Sequence, residues 1–122
     1  MSQTTKIPTD RLEAYFGTFT KRFLLHGNPE AADIEVLSPE LGDQYVAEGD
    51  RLNGITYDPK ANALELSLGF PFENPHLHRI YAPQEVWVVE EPDGFTSSIE
   101  ILRADGTREV VTVRKVGLRP LS

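Results

Sequence analysis

Leu12, Tyr15, Phe16, Phe19, Phe23 and Leu24 recur at i, i+3, i+4, i+7, i+11 and i+12, the spacing of one face of an α-helix. The pattern predicts an amphipathic helix over about residues 9–26. Pro8 with Thr9 or Asp10 supplies its start, Glu13 stands three after Asp10 as in a capping box, and His26-Gly27 supplies its end. Gly17 weakens the middle by about 1 kcal/mol relative to alanine and marks a place where another element can come close.

Beyond Pro29 the period changes to two. Leu64, Leu66, Leu68 and Phe70 alternate with Glu65, Ser67 and Gly69, which predicts a strand with one buried and one wet face. Asp58-Pro59-Lys60 is a turn before it, with residues 53–57 as the preceding hairpin arm. Ile34 and Val36 start an early strand, and residues 45–48 form another. Val86, Trp87, Val88 and Val89 are apolar on both faces, which predicts a central strand covered by the helix, with Trp87 or its neighbours in the contact. Asp105-Gly106 suits the two positive-φ positions of a type I′ turn and joins residues 96–103 to 107–115 in a hairpin, on which Glu109 reads as outward-facing. Prolines 71, 75, 83 and 92 confine their neighbourhoods to edges and connections.

The expected fold is therefore α+β: an N-terminal amphipathic helix packed on a mainly antiparallel, twisted sheet or partly open barrel. A chain of 122 residues supports one domain, 1–122, with residues 1–6 and 117–122 as loosely ordered tails. With 39% hydrophobic and 25% charged residues it has the composition of an ordinary folded protein.

Charge and cysteine content remove several function classes. A formal net charge of −7 opposes binding to a phosphate backbone, and the basic residues gather only at Arg114, Lys115 and Arg119, so no nucleic-acid partner is expected. The absence of cysteine excludes disulfides, thiolate metal sites and a thiol nucleophile. No apolar run approaches the roughly 18 residues of a membrane span, so a cytoplasmic protein with no membrane partner is the expectation.

Several short segments carry a likeness in their order and spacing. They are Ile7-Pro8-Thr9-Asp10 before the Phe-rich helix, Glu35-Val36-Leu37 with Gly42-Asp43-Gln44, and the run from Leu52-Asn53-Gly54 to Asp58-Pro59. His78-Arg79-Ile80-Tyr81-Ala82-Pro83 and Ser98-Ile99-Glu100-Ile101 leading to Asp105-Gly106-Thr107 continue the set. From Ile7 to about Val113 the chain resembles a family of small bacterial proteins known only as a domain of unknown function. The resemblance implies a bacterial source and a stand-alone domain, and implies no activity, cofactor or catalytic residue.

The most pointed chemistry lies in Glu73-Asn74-Pro75-His76-Leu77-His78. In an extended segment His76 and His78 project to one side, and with Glu73 they make a candidate ligand set for zinc or another divalent metal. The bland reading is a pair of loop histidines bonded to nearby groups. Phe70, Phe72, His76, His78 and Tyr81 make a candidate binding surface, weighed against aromatic rings that merely close one end of the core. His26 is explained by a helix C-terminus, Glu90-Glu91 by a solvated edge, and the acidic run 30–50 by a solvated face or a docking surface for a basic partner. Ser97 and Ser98 lack a nucleophile elbow, and no glycine-rich phosphate loop is present. The expectation is a non-enzymatic binding or interaction domain without a cofactor, acting on another protein or on itself through an exposed strand edge. The alternative is a small metal-dependent or ligand-processing enzyme centred on His76, His78 and Glu73.

Overall fold

The computed structural model describes residues 2–24, 30–70 and 73–115, with the side chains of Phe70, Glu73, Asn74 and Lys115 left aside. Among these residues eight strands build one antiparallel sheet: β1 Gln3–Ile7, β2 Glu30–Ser38, β3 Gly42–Asp58, β4 Ala63–Phe70, β5 Glu73–Tyr81, β6 Pro83–Glu90, β7 Thr96–Arg103 and β8 Arg108–Lys115. Their order across the sheet is β1-β6-β7-β8-β2-β3-β4-β5, so the sheet is open, with β1 and β5 as its edges. In a flat sheet β8 and β5, four strand spacings apart, would be separated by about 19 Å. Yet His78 on β5 lies 2.7 Å from Glu109 on β8, so the sheet curls around its own interior face.

The helical segment sits where the Phe-rich pattern places it, with a different build. A 3-10 turn Thr9–Arg11 leads into α1, Leu12–Phe19, which continues as a π turn Thr20–Leu24. Among the described residues no side chain caps the start; the Arg11 N–H bonds to the Pro8 carbonyl instead, so the Asp10–Glu13 capping box does not form. The expected end at His26-Gly27 falls outside the described residues. Leu12, Phe16 and Phe19 are buried among Ile55, Leu64, Leu66, Val86, Val88 and Ile99 in one continuous core. A fully buried Phe such as Phe16 contributes about 3–5 kcal/mol against truncation to alanine.

A Cβ on Gly17 would meet no other part of the described fold within 4 Å, and close approach occurs at Gly54 instead. There Thr20 meets β3: its hydroxyl donates to the Ile55 carbonyl and accepts from the Ile55 N–H, both at 3.0 Å. A Cβ on Gly54 would stand 3.5 Å from the Thr20 methyl, beside the register shift between Leu52 and Gly54. The bulge and the threonine thus hold the helical segment against the long strand.

The alternating leucines behave as read. Leu64, Leu66 and Leu68 are each 1% exposed and face the core from β4. Four other expectations are corrected. Residues 3–6, read as part of a loose tail, form β1 with Ile7 and pair with β6 from Gln3↔Glu90 to Ile7↔Val86. The helix therefore follows a strand.

Of Trp87 and its neighbours, Val86 and Val88 join Leu12, Phe16 and Phe19 in the core, as expected, but the strand is not apolar on both faces and Trp87 is not in that core. It lies on the outer face of β6, 39% exposed, with its Nε1–H donating to Glu85 and the Lys6 ammonium 5.9 Å from its ring centroid. Val86 and Val88 alone turn inward, so β6 has one apolar face and one wet one.

The turn at Asp105-Gly106 is not type I′, because Gly106 (φ 89°) is at positive φ and Asp105 is not. Gly106 N–H bonds to the Arg103 carbonyl and Arg103 N–H to the Thr107 carbonyl, a three-residue loop closed by a glycine bulge. Asp105 accepts the Thr107 N–H at 2.9 Å, and that bond is the main reason its carboxyl titrates below the usual range.

That extra loop residue decides the fourth correction. A two-residue turn would set Ile101 opposite Val110, whereas the observed register sets it opposite Glu109. Facing partners share a face, so Glu109 joins Val111 and Val113 on the interior side and is 1% exposed.

Candidate functional site

Two places in the molecule gather polar chemistry. The first is a groove of about 440 Å³ between the helical segment and the β1/β6 edge, a volume typical of small-molecule sites. One wall is a helix face: Arg11, Ala14, Tyr15, Thr18, Phe19, Arg22 and Phe23 follow i, i+3, i+4, i+7, i+8, i+11 and i+12. This stripe lies beside the fully buried one. Ala14 and Thr18 are small, which opens the space. The other wall comes from Thr5, Lys6, Ile7 and Pro8 at the end of β1, with Glu90, Gly94 and Thr96.

Within the groove the Tyr15 hydroxyl donates to Glu90 Oε2 at 2.8 Å and shares a 2.7 Å bond with Thr96 Oγ1. Burial pushes the Tyr15 hydroxyl well above its ordinary range; the Thr96 bond pulls the other way, and the Glu90 bond and charge push it further up. Glu90 is therefore engaged by a neutral phenol. Phe19, Phe23 and Phe95 form an aromatic trio with ring centroids 5.2 to 5.8 Å apart.

Arg22 lies over Phe23, its guanidinium carbon 4.9 Å from the ring centroid, and donates to the Asp93 carbonyl at 3.0 Å. Gly94 (φ 89°) makes room for it, because a Cβ there would stand 2.6 Å from Arg22 Nη1. The Lys6 ammonium lies on the outer face of the sheet, near Trp87 and 4.0 Å from Glu85, and so brings no charge to the groove, while Arg11 makes no ion pair among the described residues. Two cations, Arg11 and Arg22, thus stand along the helix wall of an apolar groove in a chain of net charge −7.

The second place is inside the curl. His76, His78 and Ile80 share the inward side of β5, while Leu77 and Tyr81, 47% and 50% exposed, point outward. His78 Nε2 bonds to Glu109 Oε1 at 2.7 Å, Arg103 Nη1 reaches Glu109 Oε2 at 3.3 Å, and Arg103 Nη2 reaches Asp105 at 3.4 Å. His76 Nε2 lies 3.3 Å from Asp50 Oδ2. A carboxylate so deeply buried is held by two cation-forming partners, an arrangement that is costly to break from one side.

The candidate surface Phe70, Phe72, His76, His78 and Tyr81 is split by strand parity. Tyr81 faces away from both histidines, Phe72 lies outside the described residues, and the side chain of Phe70 is not described. The ligand set His76, His78 and Glu73 keeps its two imidazoles on one side of β5, each engaged by a different carboxylate; the Glu73 side chain is not described. Among the described residues no group of three or more His, Asp or Glu side chains is placed to hold a metal ion.

Sequence reasoning missed Arg11, Arg22 and Glu109. A signal for two of them was present: Arg11 and Arg22 are eleven apart, three helical turns on one side, flanking small residues at 14 and 18.

An open antiparallel sheet with one helical segment laid across it makes this a small α+β domain. The chain belongs to the family described as "Family of unknown function (DUF5335)", whose model matches residues 3–120. It is 35% identical over 113 residues to an "Uncharacterized protein" of the bacterium Aquifex aeolicus (strain VF5), covering 91% of this chain and 92% of the relative. No solved structure matches. No helix among the described residues is long and apolar enough to cross a membrane.

Proposed function

We propose that this domain is a non-enzymatic binding module that takes a small apolar molecule with an anionic head into the groove beside α1. The observation that carries the reading is the lining: Ile7, Pro8, Phe19 and Phe23 offer apolar surface, while Arg11 and Arg22 supply positive charge against an acidic background. The apolar part of the ligand gains about 25 cal/mol for each Å² it removes from water, and the cations select the head and steer its approach. The net charge argues against nucleic acid as the partner, and a cytoplasmic setting belongs to the same proposal.

The alternative, a metal-dependent or ligand-processing enzyme centred on His76, His78 and Glu73, has less support, because each imidazole is already taken by its own carboxylate.

The test uses two fluorescent probes of nearly the same shape, anilinonaphthalene sulfonate and its uncharged counterpart phenylnaphthylamine. The folded protein should bind the sulfonate saturably at one site, about tenfold more tightly than the neutral probe. Arg11→Ala with Arg22→Ala should erase that preference while leaving affinity for the neutral probe unchanged. Equal affinity for both probes, or a sulfonate preference that survives both substitutions, would overturn the proposal.

A further inference from the structure

β3 is seventeen residues long, but β4 pairs only with its second half, from Leu52 to Asp58. Over residues 42–48 its inner edge pairs with β2, from Ser38↔Gly42 to Ile34↔Ala47, and no described strand pairs with the other edge. Both faces are wet from 42 to 46, where Tyr45 is 57% and Val46 48% exposed, and Leu41 at the hairpin tip is 72% exposed; Ala47 turns into the core. A strand edge exposed in this way is a template for another strand.

Natural proteins blunt such edges with lysine, proline or bulges. Here the β2 arm carries two register irregularities, at Ala32/Ile34 and Ile34/Glu35, but the edge has no lysine. Its charges are all of one sign. Glu40, Asp43 and Glu48 lie on it with Glu35 across the ladder, and residues 30–50 contain no Lys or Arg. The Tyr45 hydroxyl registers this field, since the Glu35 carboxylate, followed by slight burial and then Asp33, Glu48 and Asp43, pushes it above its ordinary range.

We infer that residues 42–48 of β3 are a docking edge for an extended segment of another protein in which Lys or Arg alternates with apolar residues. Strand addition supplies main-chain hydrogen bonds, Leu41, Tyr45 and Val46 supply apolar contact, and the acids select a basic partner. Two copies of this chain pairing edge to edge would bring like charges face to face, which disfavours self-association.

The experiment titrates the full chain with three capped peptides of about nine residues, long enough to span roughly 30 Å when extended. One alternates Lys and Val, one alternates Glu and Val, and one keeps the Lys content with Pro in place of two Val. The Lys-Val peptide should bind with amide shifts at 42–48, and at least tenfold more tightly than the Pro peptide of equal charge. Asp43→Lys with Glu48→Lys should weaken it by a further factor of about ten, with a circular dichroism spectrum like that of wild type. Equal binding of the Lys-Val and Pro peptides, shifts confined to other residues, binding unaffected by the charge reversal, or concentration-dependent dimerisation in its place would each overturn the inference.

Discussion

The groove beside α1 and the interior of the curl both hold charged side chains against apolar ones, and they use them in opposite ways. Inside the curl the buried Glu109 bonds to His78 and Arg103, and toward the rim the more exposed Asp50 and Asp105 lie beside His76 and Arg103. Along the groove Arg11 makes no ion pair among the described residues, and Arg22 lies over Phe23 and bonds to a neutral group, the Asp93 carbonyl. A buried charge must be matched within the fold, because leaving it alone costs several kcal/mol. An exposed cation bears no such penalty and stays available to a ligand. The comparison separates groups that the fold consumes from groups that it leaves for binding, which is why the histidines, the most suggestive residues in the sequence, are the weaker functional candidates.

The largest effect that could break this contrast lies at Glu109. Its side chain is 2% exposed and holds both His78 and Arg103. Glu109→Ala takes the carboxylate from His78 and leaves Arg103 with Asp105 alone, and should destabilise the domain by about 3–5 kcal/mol, read as a lowered midpoint in urea. Probe binding in the groove should persist wherever the variant remains folded. A loss below about 1 kcal/mol would mean that the interior ion pairs are incidental, and the histidines would return as functional candidates.

An intermediate effect is expected at Tyr15, which belongs to the groove yet is half-buried. Tyr15→Phe removes the bonds to Glu90 and Thr96 and should cost about 1–3 kcal/mol at neutral pH. Its pH dependence is more telling. Burial favours the neutral phenol, so the folded chain ionises at higher pH than the 10.0 of an ordinary tyrosine. The stabilisation is whole below pH 10.0 and is lost as the pH rises beyond it, because the unfolded chain releases its proton first. Wild type should therefore lose up to about 1.4 kcal/mol per pH unit more than Tyr15→Phe above that point. Tyr45 shifts in the same direction in both proteins and cancels in the difference. Identical alkaline slopes would place the Tyr15 hydroxyl in contact with water and leave the groove without its polar anchor.

How much of this was legible follows the range of each interaction. The helix and β4 could be read because a single local period buries Leu12, Phe16 and Phe19, or Leu64, Leu66 and Leu68. β1 could not: Gln3, Thr4, Thr5 and Lys6 have no apolar alternation, and the strand exists through backbone pairing with β6, more than eighty residues away. Glu109 was misread through one residue of turn geometry. Asp105-Gly106 announced a hairpin, but Ala104 joins the loop, and the one-residue shift turned every side chain of β8 to the other face. The groove was missed because its walls come from residues 5–23 and 90–96, joined only once β1 has paired. The helix face that lines it was present as a second stripe, masked by the stronger one beside it.

The smallest expected effect sharpens the comparison most. Arg11 is exposed, makes no ion pair among the described residues and projects from the helix face that lines the groove. If it serves the fold, its removal must cost stability; if it serves a ligand, it should not. A surface substitution without partners changes stability by about 0.5 kcal/mol or less, so Arg11→Ala should melt within about 2–4 °C of wild type. The same variant should bind anilinonaphthalene sulfonate several-fold more weakly, with a reduced dependence on salt, because one of the cations that draw the anion is gone. Glu109→Ala should show the reverse pattern, a large loss of stability with sulfonate affinity kept. A double dissociation of this kind cannot arise from a general loosening of the fold, which would lower stability and affinity together. An Arg11→Ala protein with unchanged sulfonate affinity, or one destabilised as much as Glu109→Ala, would erase the distinction between the two regions.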